Sequence, residues 1–207
     1  MIEQRTEEWF TERLGKVTAS RISDVLAKIK TGEASARREY RMELVIDRLT
    51  GKRRETYCSA SMQWGIDHEE EARLSYAFVT DRDVQLVGFL NHPDIPMAGA
   101  SPDGLVDVDG IVEIKCPNTA THVEYILGGA IPKEYQDQML WQMEVAKRKW
   151  CDFVSYDPRV PQHLRLFVKR FYFDEERVSN MRDDVIIFLA EVDDIVNRLT
   201  MITNGGG

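Results

Sequence analysis

Two short stretches carry residue types that could act on a substrate: Ser101-Pro102-Asp103-Gly104 and Glu113-Ile114-Lys115. Asp103 sits at the edge of one short strand pattern. Glu113 and Lys115 stand two apart on the next, so their side chains share a face. A turn between the strands brings Asp103 towards Glu113. Adjacent carboxylates repel one another, and a hard divalent cation such as Mg²⁺ or Mn²⁺ relieves that repulsion. A lysine beside them can bind a phosphate oxygen, orient a water or stabilise developing negative charge. These are the parts needed to hydrolyse a phosphodiester. Spacing alone also admits an exposed turn with a cross-strand salt bridge. Ile111, Val112, Ile114 and Cys116 weigh against that, because charges set into an apolar strand need a partner or a metal. Glu-x-Lys occurs once in the chain, and of Pro93-Asp94 and Pro102-Asp103 only the second is followed by it at hairpin distance. His68, His92, His122 and His163 show no ligand spacing, and no Gly-rich phosphate loop is present.

The elements that must position these residues follow from periodicity. Trp9, Phe10 and Leu14 share one face of a short helix, and Thr18 or Ser20 is placed to cap a second through Ala27. Residues 35–49 set Tyr40, Leu44, Val45 and Leu49 at helical spacing, with Gly51 as the stop. Residues 61–79 predict a helix with Trp64, Ala72, Leu74, Tyr76 and Phe78 inward. Short strands are expected at 84–90, 105–108 and 111–116, the last two joined through Asp109-Gly110 as a two-residue hairpin turn. Then come a helix at 132–149 opened by Pro132, strands at 152–156 and 164–173, and a long amphipathic helix from Asp174 to Leu199. Helices flanking a central run of strands make an α/β sandwich.

The chain has 207 residues, a normal size for one domain, with 43% hydrophobic and 30% charged residues. Residues 1–207 are expected to form one unit, with 203–207 as a flexible tail. Cys58, Cys116 and Cys151 are too few and too scattered for a disulfide framework, and no C-x-x-C pair suggests zinc. The N-terminus lacks an apolar signal region, and no apolar run is long enough to span a bilayer, so a soluble, intracellular protein is expected. The net charge of −8 argues at first against nucleic acid. Its distribution argues otherwise: residues 13–54 hold twelve Lys/Arg against five Asp/Glu, net +7, and the rest is acidic. Lys28, Lys30, Arg37, Arg38, Arg41, Lys52, Arg53 and Arg54 could line a DNA path, or form a solvated helical face.

The motifs together resemble a known family. Pro102-Asp103 with Glu113-Ile114-Lys115 matches the PD-(D/E)xK nuclease motif. Arg13-Leu14-Gly15-Lys16-Val17-Thr18-Ala19-Ser20, Trp64-Gly65 with Glu69, Leu127-Gly128-Gly129 and Tyr156-Asp157-Pro158-Arg159 extend the match. In this order they resemble the lambda-exonuclease-like, YqaJ-type viral recombinase family, from Arg13 to Arg159. The resemblance implies a PD-(D/E)xK restriction-endonuclease-like fold with a central mixed sheet flanked by helices. It implies that Asp103, Glu113 and the Ile114 carbonyl hold Mg²⁺, two ions in all, with Mn²⁺ as a substitute. Lys115 would assist the attacking water, Glu69 would complete the acidic cluster, and Gln138 would be the active-site glutamine. Arg13, Thr18, Ser20 and Ser101 would receive a terminal 5′ phosphate, and Met62 would be the apolar wedge that splits the end base pair. From the residues alone, Glu69 could be a solvated acid, Gln138 a surface residue, Thr18 and Ser20 helix caps and Met62 a core contact. The implied activity is a processive 5′→3′ exonuclease on linear double-stranded DNA. The implied partners are two further copies in a homotrimer ring, a single-strand annealing protein and no membrane. The implied setting is the cytoplasm of a bacterial host, the gene being carried by a phage or prophage. An endonuclease of the same motif class, or a catalytically silent DNA-end-binding protein, are the rivals.

Overall fold

The computed structural model describes residues 3–53 and 58–204. Helix α1 spans Glu7–Arg13, and strand β1 (Val17–Thr18) leads through a 3-10 turn at Ala19–Arg21 into α2, Ile22–Val25. Helix α3, Ser35–Thr50, ends on Gly51, whose φ of +60° closes the last turn as the sequence predicts. Helix α4, Ala60–Thr80, starts at Ser59, whose hydroxyl accepts from the Met62 amide at 3.2 Å. Strands β2 (Val84–Gln85), β3 (Leu90–Asn91), β4 (Ala98–Ala100), β5 (Gly104–Val106) and β6 (Gly110–Lys115) follow. Helices α5 (Thr119–Gly128) and α6 (Lys133–Ala146), strands β7 (Trp150–Tyr156) and β8 (Leu166–Tyr172), and helix α7 (Glu175–Asn204) complete the order.

One sheet runs β2-β5-β6-β7-β8, with β6 and β7 parallel and the other pairs antiparallel; a smaller one runs β1-β4-β3. Strand β6 lies at the centre of the larger sheet, and its alternation decides the site. Val112 and Ile114 pack with Ala72 and Tyr76 of α4, while Ile111 packs on the opposite face with Met139, Leu140 and Met143 of α6. Glu113 and Lys115, in phase with Ile111, therefore point towards α6. Helices on both faces of a mixed sheet confirm the α/β reading.

Several expectations need correction. The strand expected at 84–90 is two pieces in two different sheets. The Asp109-Gly110 turn is longer: Val106 pairs with Gly110, so Asp107, Val108 and Asp109 form the loop, and Asp107 takes the positive φ of +48°. Gly110 lies within β6 because a Cβ there would collide with the Trp150 indole. Thr18 and Ser20 cap nothing: the 3-10 turn has no side-chain cap, and α2 starts only at Ile22. Leu74 and Phe78, expected in the core, are 62% and 88% exposed, and Leu49 and Leu199 also face outward. Helix α5 is not predicted by the sequence pattern, although Asn118 caps it and Gly129 ends it. Helix α7 runs to Asn204, into the expected tail; Gly205–Gly207 and Arg54 lie outside the described residues.

Candidate active site

Glu113 is 1% exposed and both of its oxygens are engaged. Oε1 accepts from Gln138 Nε2 at 2.7 Å and from the Lys115 ammonium at 2.5 Å; Oε2 accepts from Gln142 Nε2 at 2.6 Å. Gln138 and Gln142 are one helical turn apart on α6, the helix that the Glu113 face of β6 meets. Burial alone would lower the proton affinity of Lys115, but the charges of Glu113 and Asp103 outweigh it and hold the ammonium above its ordinary value. The Tyr135 ring lies 4.8 Å from Lys115 Nζ and adds a cation–π contact.

Asp103 precedes β5, where Gly104 pairs with Val112, so it reaches the level of Glu113. Its Oδ2 accepts from the Ile114 amide at 2.6 Å. Burial, then the charges of Glu113 and Glu69, push its carboxyl well above the ordinary carboxylate range. Glu69 comes from α4, across the sheet from α6, and shares with Asp103 a pocket of about 360 Å³. Its carboxylate is paired with Arg5. Arg5 has a φ of +69°, and its neighbour Gln4 donates from Nε2 to the carbonyls of Val87 and Pro102, both at 2.9 Å. The N-terminal segment is thus stapled to the peptide before Asp103. Among the described residues, no three His, Cys, Asp or Glu side chains converge closely enough to form a metal cage on their own. The Asp103–Glu113 pair is nonetheless an all-oxygen donor set whose mutual repulsion a hard cation would offset. Cys116 is no nucleophile, since burial and the charges of Glu69 and Asp103 push its thiol up to about 12.

A second group surrounds Arg13. Its guanidinium lies 3.9 Å over the Trp9 ring and donates to Ser101 Oγ at 3.3 Å, which also accepts from Trp9 Nε1 at 3.0 Å. Thr18 Oγ1 and Ser20 Oγ are 3.4 Å apart. Arg13, Lys16, Thr18, Arg21 and Arg53 line a pocket of about 260 Å³ together with the acids Glu43 and Asp47, and Glu43 is paired with Arg21 at 2.8 Å. Burial, reinforced by Arg53 and only partly offset by Tyr40, brings the Arg13 guanidinium down to about 10. Among the described residues no carboxylate pairs with Arg13, so this desolvated cation, with the Ser101 hydroxyl beside it, is the part of the pocket that suits an anion.

Met62 stands 56% exposed on the first turn of α4, so core packing is not its role. Trp64, two residues on, is sandwiched between His68 at 3.7 Å and Arg159 at 4.1 Å. Asp157 fixes Arg159 from Oδ1 at 2.7 Å and Oδ2 at 3.1 Å, and Arg159 also donates to Pro117 O at 3.0 Å. The Tyr-Asp-Pro-Arg block therefore ties α4 to the segment that follows β6. Part of the expected DNA path is otherwise engaged. Arg37 and Arg41 both bind Glu33 and Glu191, and Lys28 binds Asp184.

Sequence reasoning missed Gln142, Tyr135, Gln4 and Arg5. Gln142 was legible as the same-face neighbour of Gln138. Arg5 was obscured by the acid-rich segment around it.

A buried acid and a half-buried lysine on a central strand, faced by a second acid across a hairpin inside a helix-flanked mixed sheet, define the PD-(D/E)xK nuclease class. A profile of the YqaJ-like viral recombinase domain matches residues 8–149, and the chain belongs to that family. It is similar to the alkaline exonuclease LHK-Exo from Laribacter hongkongensis, at 44% identity and a TM-score of 0.89 over 96% of this chain and 98% of that one. A structure of LHK-Exo in complex with dAMP gives a TM-score of 0.90 with the same identity and coverage. A phage-related exonuclease from Haemophilus somnus 129PT shares the fold at 15% identity and a TM-score of 0.70, over 89% of this chain and 96% of that one. No curated protein matches the chain.

Proposed function

We propose that the protein is a Mg²⁺-dependent 5′→3′ exonuclease. It degrades one strand of linear double-stranded DNA from 5′-phosphorylated ends, releasing mononucleotides and leaving a 3′ single-stranded overhang. The observation that carries this reading is the convergence of Asp103, Glu113 and Lys115 at the β5–β6 hairpin, with Gln138 on Glu113. Membership of the viral recombinase family and the likeness to an alkaline exonuclease support it. An ion at this site would be held by Asp103, Glu113 and the Ile114 carbonyl, with Glu69 serving a second. Once bound, it would polarise the phosphoryl oxygen and acidify a water. The chain's own residues do the rest. Lys115, kept protonated by Glu113 and Asp103, neutralises charge growing on the phosphoryl oxygens. Arg13, Ser101, Thr18 and Ser20 hold the terminal 5′ phosphate, which sets register by fixing the end of the strand. Met62, exposed at the head of α4, inserts at the terminal base pair. The product overhang suits a single-strand annealing protein in phage-type recombination. A homotrimer ring around the duplex would supply processivity.

The test uses a linear duplex, 5′-phosphorylated or not, with Mg²⁺ or with EDTA, followed by release of mononucleotides. Mg²⁺-dependent release that favours phosphorylated ends is the expected result. Cleavage of closed circular DNA would make the protein an endonuclease, and binding of ends without release would make it a silent end-binding protein.

A further inference from the structure

Gln142 is the most deeply placed polar side chain of α6 that touches the site. It is 1% exposed and set among Leu140, Trp141 and Met143, all of them buried. A side-chain amide at such a position normally satisfies both ends. Gln142 satisfies one: Nε2 donates to Glu113 Oε2 at 2.6 Å, while Oε1 is buried without a hydrogen-bond partner. Turning the amide over would leave the nitrogen unpaired and set Oε1 against a carboxylate oxygen. The orientation is therefore dictated by Glu113, and the orphaned carbonyl is the cost of holding it.

The bonds around Glu113 show what is gained. Each carboxylate oxygen has two lone pairs. Oε1 uses both, one on Gln138 and one on Lys115. Oε2 uses one on Gln142 and keeps one. We propose that Gln142 is a positioning residue that fixes the Glu113 rotamer and selects Oε2 as the single oxygen offered to the divalent cation. Without the Gln142 donor, the carboxylate is held from Oε1 alone, by Gln138 and Lys115, and the lone pair offered from Oε2 loses its direction. The side chain comes from a helix packed into the core, so the constraint is rigid. This role rests on the proposed nuclease reading and adds to it a residue that touches no substrate.

Gln142→Met keeps the length of the side chain and removes the donor. Gln142→Asn keeps an amide but withdraws it by one methylene. Mn²⁺ binding is followed by calorimetry on the full chain without DNA, beside kcat and KM on a 5′-phosphorylated duplex and the melting temperature. The expected result for Gln142→Met is Mn²⁺ affinity weaker by five-fold or more and kcat down at least ten-fold. KM should stay within two-fold and the melting temperature within a few degrees. Gln142→Asn should shift the same quantities in the same direction. Unchanged Mn²⁺ affinity in either folded variant would overturn the proposal, and so would a kcat loss that merely follows loss of folded protein. The unsubstituted chain separates the two levels. If it binds Mn²⁺ but releases no nucleotide, the exonuclease reading fails, and the Mn²⁺ comparison still decides the role of Gln142.

Discussion

Glu113 and Arg13 illustrate two opposite ways of burying a charge. Glu113 is surrounded by donors on both oxygens, whereas Arg13 keeps a desolvated cation over an indole with no carboxylate among the described residues. The first arrangement predicts that Glu113→Gln is more damaging than its size suggests. The neutral amide would no longer offset the Lys115 ammonium, which the carboxylate meets at 2.5 Å, and one proposed cation ligand would disappear. A loss of cleavage on the order of 10³-fold is expected in a single-turnover assay, with the fold retained. Lys115→Ala should be comparably inactive. The second arrangement predicts an end preference. The ratio of rates on 5′-phosphorylated over 5′-hydroxyl ends should fall towards one in Arg13→Ala. An unchanged ratio in that variant would remove Arg13 from the proposed phosphate pocket.

Among the elements, β6 and the segments tied to it carry the most consequence. Gly110→Ala would drive a Cβ into the Trp150 ring, and overpacking of this kind costs about 1–3 kcal/mol, readable as a lowered urea midpoint. Asp157, fully buried against Arg159, is held down to about 2 by that guanidinium despite the opposing effect of burial. Its folded value lies below its unfolded one. The stabilisation is therefore complete above about pH 4 and disappears as the pH falls through about 2. Asp157→Asn should cost on the order of 2 kcal/mol at neutral pH, and the difference should shrink in acid. An undiminished gap at low pH would exclude the ion pair as its source. These elements also mark where the sequence was readable. Glu113 and Lys115 announced their shared face because strand alternation is local, and Gly51 announced the end of α3 because a left-handed residue closes a helix. The turn after β5 was misread because Asp109-Gly110 is a strong hairpin signal, while the constraint that makes residue 110 a glycine comes from Trp150, far along the chain. Of the residues expected inward on α4, Ala72 and Tyr76 do meet the sheet, whereas Leu74 and Phe78 face outward. Periodicity identifies a helix more readily than it identifies the face the sheet will cover. Gln4 and Arg5 were invisible as site residues because their partners, Pro102 and Glu69, are distant in sequence.

Across the whole molecule, the charge of −8 hides an internal cancellation. Three arginines of the basic stretch that suggested a DNA path pack α3 against α7, the acidic C-terminal helix. Arg37 and Arg41 bridge to Glu191 at 2.7 and 2.6 Å, and Arg48 reaches Asp193 at 2.5 Å. These arginines join helices, and their charge is matched before any phosphate arrives. Arg13 and Arg53 at the smaller pocket are differently placed, with Arg53 exposed and its guanidinium 3.2 Å over the Phe10 ring. A substitution that removes one cation from a phosphate should reduce the slope of log affinity against log salt by about one. The two groups are thereby separable by anisotropy on a labelled duplex end, in EDTA, across roughly 50–300 mM salt. Arg13→Ala and Arg53→Ala should each weaken binding and flatten the slope. Arg37→Ala should leave both affinity and slope within error, and should instead lower stability by about 1 kcal/mol, an effect that fades with added salt as expected for partly exposed ion pairs. If Arg37→Ala flattened the slope as much as Arg13→Ala, then α3 would face DNA and its pairing with α7 would have to open on binding. The slope of the unsubstituted protein then counts the cations that meet phosphate, and Arg13 and Arg53 should account for about two of them.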